Sequence, residues 1–354
     1  MSAVITQPPQ LGLASERSRS GSQGNKIKIA QFGLGLIGIE AMKLAATKPW
    51  AQVVGGVDID PAKAGRPLSD FAVGSKLGDA VVYSSFEQMM GEVQPDVVLH
   101  TAGSKIEDTF DQIEPMIRGG VSVVSSCEEL LFPRLRAPER SDVIDELAKA
   151  YEVGILGTGV NPGFVMDVLP VVLTGVNRTV RKIRVERVVN ASTRRMMLQK
   201  KVGSGMDPDE FRALWKAGKA GHAGFRESAA MICHAMGWDY HGLVETCEPM
   251  IAPHDITTQF FHVKKGLCCG IHQTVTAHVN GQTPLMMDLK MYLDAEDPHD
   301  RVVIDGDPQI DCLLQGGLAG DHATVAALVN AVPRVLKAGG GLHIMTDLAA
   351  PSWC

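Results

Sequence analysis

The chain has 354 residues, 45% of them hydrophobic and 21% charged, the balance of a globular protein of about two domains. A net charge of −6 without a strong basic run argues against a nucleic-acid partner. No apolar stretch reaches the roughly 18 residues that would suggest a membrane span.

Residues 1–25 include QPPQ and SERSRSGSQGN. They lack the apolar core of a secretory signal and read as a mobile tail. The seven cysteines include no CxxC pair, so they read as reduced thiols of a cytoplasmic protein, with neither a disulfide framework nor a zinc site. No histidines stand at metal-ligand spacing, and no metal is expected.

KIKIAQF (residues 26–32) reads as a strand that runs into GLGLIG (residues 33–38) and then into a helix-spaced stretch. Residues 51–60 form a second strand that ends in acid, and residues 80–85 a short third. SFEQMMGEV is helical, and residues 95–102 are a fourth strand. A helix follows and is stopped by Gly119 and Gly120. Residues 121–126 are a fifth strand, the segment from Ala137 a further helix, and residues 153–159 a sixth strand. This alternation implies a doubly wound parallel sheet with crossover helices. After NPGFVMDVLP the pattern changes. KIRVERVVNAS, QTVTAHVNG and LMMDLKMYLDAE read as strands of a mixed or antiparallel sheet, with helices at residues 207–221 and 222–237. Residues 321–339 form an apolar helix suited to pack back on the first unit. The expected organisation is a tail (1–25), a dinucleotide-binding Rossmann domain (26–158), a substrate-binding and dimerisation domain (159–320), and a C-terminal helix and tail (321–354).

Gly33, Gly35 and Gly38 form GxGxxG between a strand and a helix, the context that gives this pattern its meaning. The loop Gly33, Leu34, Gly35, Leu36, Ile37 and Gly38 is therefore expected to cradle a pyrophosphate at a helix N-terminus. Asp58, ending the second strand, stands where an acid takes the adenosine ribose hydroxyls. It favours NAD over NADP, and nearby Lys63 and Arg66 offset that preference in part. Thr101, Ala102 and Gly103 are small, as a backbone beside a nicotinamide ribose requires.

Ligands of such a sheet sit beyond the carboxyl ends of its strands. The fifth strand ends in SSCEELLFP (residues 125–133), so Glu128 is the titratable group best placed to do chemistry, with Glu129 in a supporting role. Cys127 is a poor nucleophile beside a carboxylate. Asn161 precedes Pro162 and Gly163, at the turn into the second domain. Val160, Asn161, Val165, Met166, Thr193 and His222 are candidate substrate contacts. His100 reads as a buried structural histidine.

GLGLIG, HTAGS, SSCEELLFP, GTGVNPGFVMD, ASTRRMMLQKKVG, GHAGFRES and GDHATVAALVNAVP together resemble the 2,4-diaminopentanoate dehydrogenases and the native amine dehydrogenases, distant relatives of dihydrodipicolinate reductase. The resemblance covers roughly residues 26–349 and lies more in the order of the motifs than in any one of them. It implies NAD(P)-linked, reversible oxidative deamination of an amine to a ketone or aldehyde plus ammonia. It also implies Glu128 as the catalytic residue and a homodimer joined through the second domain. Two departures from neighbouring families stand out. Dihydrodipicolinate reductases carry a His-His pair and a lysine in a loop ending Ser-Gly-Thr, where this chain has VVNASTRRMMLQKKVGSGM without histidines. Sugar and inositol dehydrogenases carry Glu-Lys-Pro after the fifth strand, where this chain has Glu128, Glu129 and Leu130. An amino-acid dehydrogenase of the diaminopentanoate type is the alternative, with Arg187, Arg194 or Arg195 as cations for a substrate carboxylate. A non-catalytic dinucleotide sensor is the second alternative.

Overall fold

The computed structural model describes residues 26–354, and the expected tail lies outside them. Six strands form a parallel sheet: Ile27–Phe32 (β1), Ala51–Val57 (β2), Val82–Tyr83 (β3), Val97–His100 (β4), Ser122–Ser125 (β5) and Gly154–Gly157 (β6). Their spatial order is β6-β5-β4-β1-β2-β3. The crossovers carry Leu36–Thr47 (α1), Phe86–Glu92 (α2), Ile106–Arg118 (α3) and Pro138–Ala150 (α4). Every residue of β4, β5 and β6 is buried, because helices cover both faces, so these strands read as apolar runs and not as alternations. The chain turns to opposite sides of β1 to reach β2 and β4. The crevice beyond β1 and β4 is therefore the switch point of the sheet.

Val168–Thr174 (α5) begins the second unit. Its sheet contains Thr179–Asn190 (β7), Gly242–Ile251 (β8), Cys268–Val279 (β11), Gln282–Tyr292 (β12), His299–Asp307 (β13) and Ile310–Gln315 (β14), while Ile256–Thr257 (β9) and His262–Val263 (β10) form a separate hairpin. The order is β14-β13-β7-β12-β11-β8, with β7 and β12 parallel and the other pairs antiparallel. Met196–Lys201 (α6), Pro208–Lys216 (α7) and Phe225–Ala235 (α8) stand between β7 and β8. Helix α8 packs on β8, β11 and β12. Its buried Phe225, Ala229, Ile232 and Cys233 join one apolar core with residues such as Ile271, Val275, Leu285 and Met287. The sequence shows β7, β11 and β12 by pattern. It does not show β8, β13 and β14 as plainly; in β13, for example, Asp300 and Gly306 take two of the inward positions and break the apolar alternation.

Gly320–Ala338 (α9) then returns and packs on α1 and on β4, β5 and β6. Gly341–His343 (β15) follows it and adds a seventh strand beside β6. The returning helix is as expected, but β15 is three residues long and has no readable pattern.

Candidate active site

The glycine loop is built from beneath. Gly33 has φ +86, and a Cβ at Gly38 would lie 2.0 Å from the Gly33 carbonyl oxygen, so the loop closes on α1 only with glycine there. The Thr101 hydroxyl donates to that same oxygen at 2.9 Å, and Gln31 Nε2 donates to it at 3.1 Å. A Cβ at Gly35, the N-cap of α1, would meet nothing within 4 Å. That is the open approach a pyrophosphate needs beside a helix N-terminus. The loop therefore fits a nicotinamide dinucleotide.

Asp58 is more occupied than its sequence position suggests. Its Oδ2 accepts from the Leu34 amide at 2.7 Å and from Lys63 Nζ at 2.9 Å, and its Oδ1 accepts from the Asp60 amide at 2.9 Å. Burial pushes its carboxyl up, but Lys63 and the two amides outweigh this and hold it below the usual carboxylate range. Lys63 Nζ also donates to the Leu34 carbonyl at 3.1 Å. Leu34 thus serves Asp58 and the core, where it is 2% exposed.

A cavity of about 820 Å³ extends from this loop to the second unit. Gly35, Leu36, Ile37, Gly38, Thr101, Gly103, Glu128, Val160, Asn161 and His222 line it. Gly33, Leu34, Asp58 and Ala102 lie outside its wall. The small size of Ala102 serves the glycine loop, since a Cβ on Gly33 would come within 3.3 Å of it. Three expected substrate contacts are placed elsewhere. Val165 and Met166 are 1% and 0% exposed in the core of the second unit, because the turn through Gly163 points them inward. Thr193 lines an adjoining pocket of about 400 Å³.

Glu128 opens a single 3-10 turn, Glu128–Leu131, after β5. What holds that turn lies under it. His100 Nε2 meets Gln112 Oε1 at 2.7 Å, and its Nδ1 meets Ser125 Oγ at 2.8 Å. The Gln112 oxygen can only accept, so Nε2 carries the proton, Nδ1 accepts from the Ser125 hydroxyl, and Ser125 Oγ accepts from the Cys127 amide at 3.0 Å. Burial pushes the His100 imidazole down to about 4, against an opposing pull from Gln112. Burial likewise pushes the Cys127 thiol up to about 11, so it is no nucleophile. Glu129 turns away from the cavity, and its Oε2 accepts from the Ile106 amide at 2.8 Å. It caps α3, whose own N-cap residue Lys105 supplies no side-chain bond.

The second unit supplies the facing wall. Gly224, the N-cap of α8, sits so close that a Cβ there would lie 2.5 Å from Pro162 Cγ and 2.9 Å from Glu128 Cβ. Arg136 Nε bonds Glu227 Oε1 of α8 at 2.5 Å. Asp167 accepts from the Gly163 amide and the Ser228 hydroxyl, tying the Asn161 turn to the same helix. Gln273 brackets the His222 backbone, accepting from its N–H and donating to its carbonyl. The His222 imidazole is pushed down to about 3, first by burial and then by the charges of Lys201 and Arg187.

The cations the sequence singled out, Arg187, Arg194 and Arg195, line the cavity, each near an acid. Arg187 is buried against Asp300 at 2.5 Å and donates to the Leu318 carbonyl. Arg194 and Arg195 share Asp321 at 3.0 and 3.8 Å. Lys200, Lys201 and Lys219 line the cavity, and Lys201 Nζ lies 4.0 Å from Glu128 Oε1. Reading the sequence missed Lys201. Its one signal is the place of KK ahead of the turn Val202-Gly203-Ser204-Gly205.

A glycine loop at the switch point of a doubly wound sheet, faced by a mixed-sheet unit across one cavity, defines a dinucleotide-binding oxidoreductase. A profile of the 2,4-diaminopentanoate dehydrogenase C-terminal domain matches residues 164–354. The chain is 31% identical to the 2,4-diaminopentanoate dehydrogenase of Acetoanaerobium sticklandii, over 92% of this chain and 94% of that one. It is 25% identical to the amine dehydrogenase of Streptomyces virginiae, over 91% and 96% of the two chains. The structure of the amine dehydrogenase from Mycobacterium smegmatis shares the fold with a TM-score of 0.81 at 20% identity, covering 93% of this chain and 97% of that one. The chain belongs to the 2,4-diaminopentanoate dehydrogenase family and is an oxidoreductase. Among the described residues no helix is long and apolar enough to cross a membrane.

Proposed function

We propose that the chain is an NAD(P)-dependent dehydrogenase of CH–NH2 groups, which runs reversibly between an amine and a carbonyl compound plus ammonia. The observation that carries this is the Glu128 carboxylate, set at the end of β5 on the cavity that the glycine loop opens. The family and its amine dehydrogenase relative support the same chemistry. The nicotinamide supplies the hydride chemistry when bound. Glu128 holds an ammonium ion beside the carbonyl carbon and takes one proton from it. The free ammonia adds to the carbonyl to form a carbinolamine, and protonated Glu128 returns its proton to the hydroxyl that leaves as water. Its renewed negative charge then stabilises the iminium cation. Such positioned acid–base help is worth ~10²–10⁴ in rate.

The cofactor belongs to the unit of residues 26–158 and the substrate to residues 159–320, with residues 321–354 returning to the first. NAD is the preferred cofactor, through Asp58. Lys63 partly neutralises that carboxylate and makes NADP tolerable. An amino acid of the diaminopentanoate type is the second reading, and the lysines of the wall favour it. The expected homodimer forms through the open face of the second sheet. There Val244, Thr276, Met286 and Arg184 make one cross-strand row, in which Val244 and Met286 are exposed. The seven free thiols are consistent with the cytoplasm.

The test is oxidation of NADH and NADPH with a panel of ketones, aldehydes and 4-oxo acids, with and without ammonium. Oxidation that requires ammonium is expected. Oxidation without it would make the protein a plain carbonyl reductase, and none under any condition would leave a dinucleotide-binding sensor.

A further inference from the structure

We propose that Lys201 determines substrate specificity: it binds the anionic group of a substrate whose nitrogen cation pairs with Glu128. The inference rests on the reading of Glu128 as the catalytic carboxylate. Lys201 is the last residue of α6, and its ammonium lies 4.0 Å from Glu128 Oε1, with the two side chains 46% and 22% exposed. A solvated pair at that separation is weak, so a ligand opens it at little cost. Among the described residues no other acid lies within 4 Å of Lys201. Of the guanidinium groups of the same wall, Arg187 is held by Asp300 and Arg194 by Asp321, while Arg195 is paired as loosely as Lys201 but to Asp321, not to Glu128. Lys201 is thus the cation nearest the reacting centre that remains recruitable.

A carboxylate and an ammonium side by side select a molecule that carries the opposite pair. A simple amine meets half of this. Its cation displaces Lys201 from Glu128 and then faces an unpaired like charge. An amine that also bears a carboxylate meets both groups. The neighbouring His222 adds no competing charge, since burial and Lys201 itself keep its ring neutral. The nearby Lys200 and Lys219 make the wall more favourable to an anion.

The experiment compares the full-length protein with Lys201→Met and Lys201→Arg on two substrates of matched length, an amine and the same amine with a terminal carboxylate. It measures kcat and KM for each, binding of each compound by calorimetry, and the Kd for NADH and NADPH. In Lys201→Met, kcat/KM for the carboxylated amine is expected to fall roughly ten- to hundredfold, the loss expected for a hydrogen bond to a charged group. Most of that loss is in KM. The simple amine is expected to gain, and Lys201→Arg to keep the original preference. Equal change on both substrates overturns the proposal. So does weaker cofactor binding with the substrate preference intact, which assigns the anion to a cofactor phosphate. If the unmodified protein turns over neither compound, the reading of Glu128 fails. Calorimetry then still decides Lys201, by whether tighter binding of the carboxylated amine is lost in Lys201→Met.

Discussion

Glu128 and Glu129 are adjacent in the chain and do different work. Glu129 satisfies a backbone donor of α3, while Glu128 faces the cavity. Glu128→Ala is accordingly expected to lower kcat by ~10²–10⁴ while the Kd for NADH stays within error. Ordinary turnover in that variant would remove Glu128 from the chemistry. Glu128→Gln keeps the shape and removes the charge, and it should be nearly as inactive, because an amide cannot take a proton from ammonium. Asp58 and Lys63 make a second residue-level prediction. Lys63→Ala leaves Asp58 to repel a 2′-phosphate, so kcat/KM should fall for NADPH more than for NADH, by roughly tenfold for one charged contact. Equal losses for the two cofactors would place Lys63 in loop stability alone. Glu128 was legible in the sequence because strand ends of such a sheet face the ligand. The occupation of Asp58 was not, since its partners come from a loop 24 residues upstream and a lysine 5 residues downstream.

At the scale of elements, the turn after β5 is held by β4 below and by α8 from the other unit. Gly224 is where α8 makes its closest approach, with φ +84 and no room for a Cβ beside Pro162 and Glu128. Gly224→Ala is expected to lower kcat about a hundredfold, since displacements near 1 Å at a reacting group have that effect. It should also lose about 1–2 kcal/mol of stability from the left-handed backbone. A fall in stability with kcat unchanged would show that Glu128 does not depend on this contact. The repeated small residues of GHAGFRES are visible in sequence. Their reason, a helix N-terminus pressed on Pro162 and on the Cβ of Glu128 nearly a hundred positions earlier, is not.

Over the whole molecule, two imidazoles are held neutral in the interior. His100 titrates at about 4 and His222 at about 3 in the folded state, against roughly 6.5 when unfolded. The unfolded chain therefore binds more protons between pH 6.5 and 4. Stability falls as pH drops through that window, by up to about 1.4 kcal/mol per pH unit for each histidine. Urea melts at pH 7 and pH 5 check this. A His100→Gln variant should show a shallower loss, and an unchanged pH dependence would count against a neutral buried His100. The C-terminal return is a second property of the whole. Met345, just beyond β15, is 3% exposed in the core of the first unit, and Met345→Ala should cost about 2–5 kcal/mol, read as a lower urea midpoint.

The amino-acid sequence by itself determined the alternation of strands and helices, the glycine loop, the change of pattern near Asn161 and the carboxylate at the end of β5. Each of these is written within a short window, in hydrophobic period, turn chemistry or strand-end position. Only the tertiary structure decided that Arg187, Arg194 and Arg195 are paired, that Val165 and Met166 lie in the core, and that Lys201 stands beside Glu128. Those outcomes depend on distances between residues far apart in the chain. They are set by how α8 packs on the second sheet and on the turn after β5, and by how α9 packs on the first sheet, and local pattern carries no record of that packing.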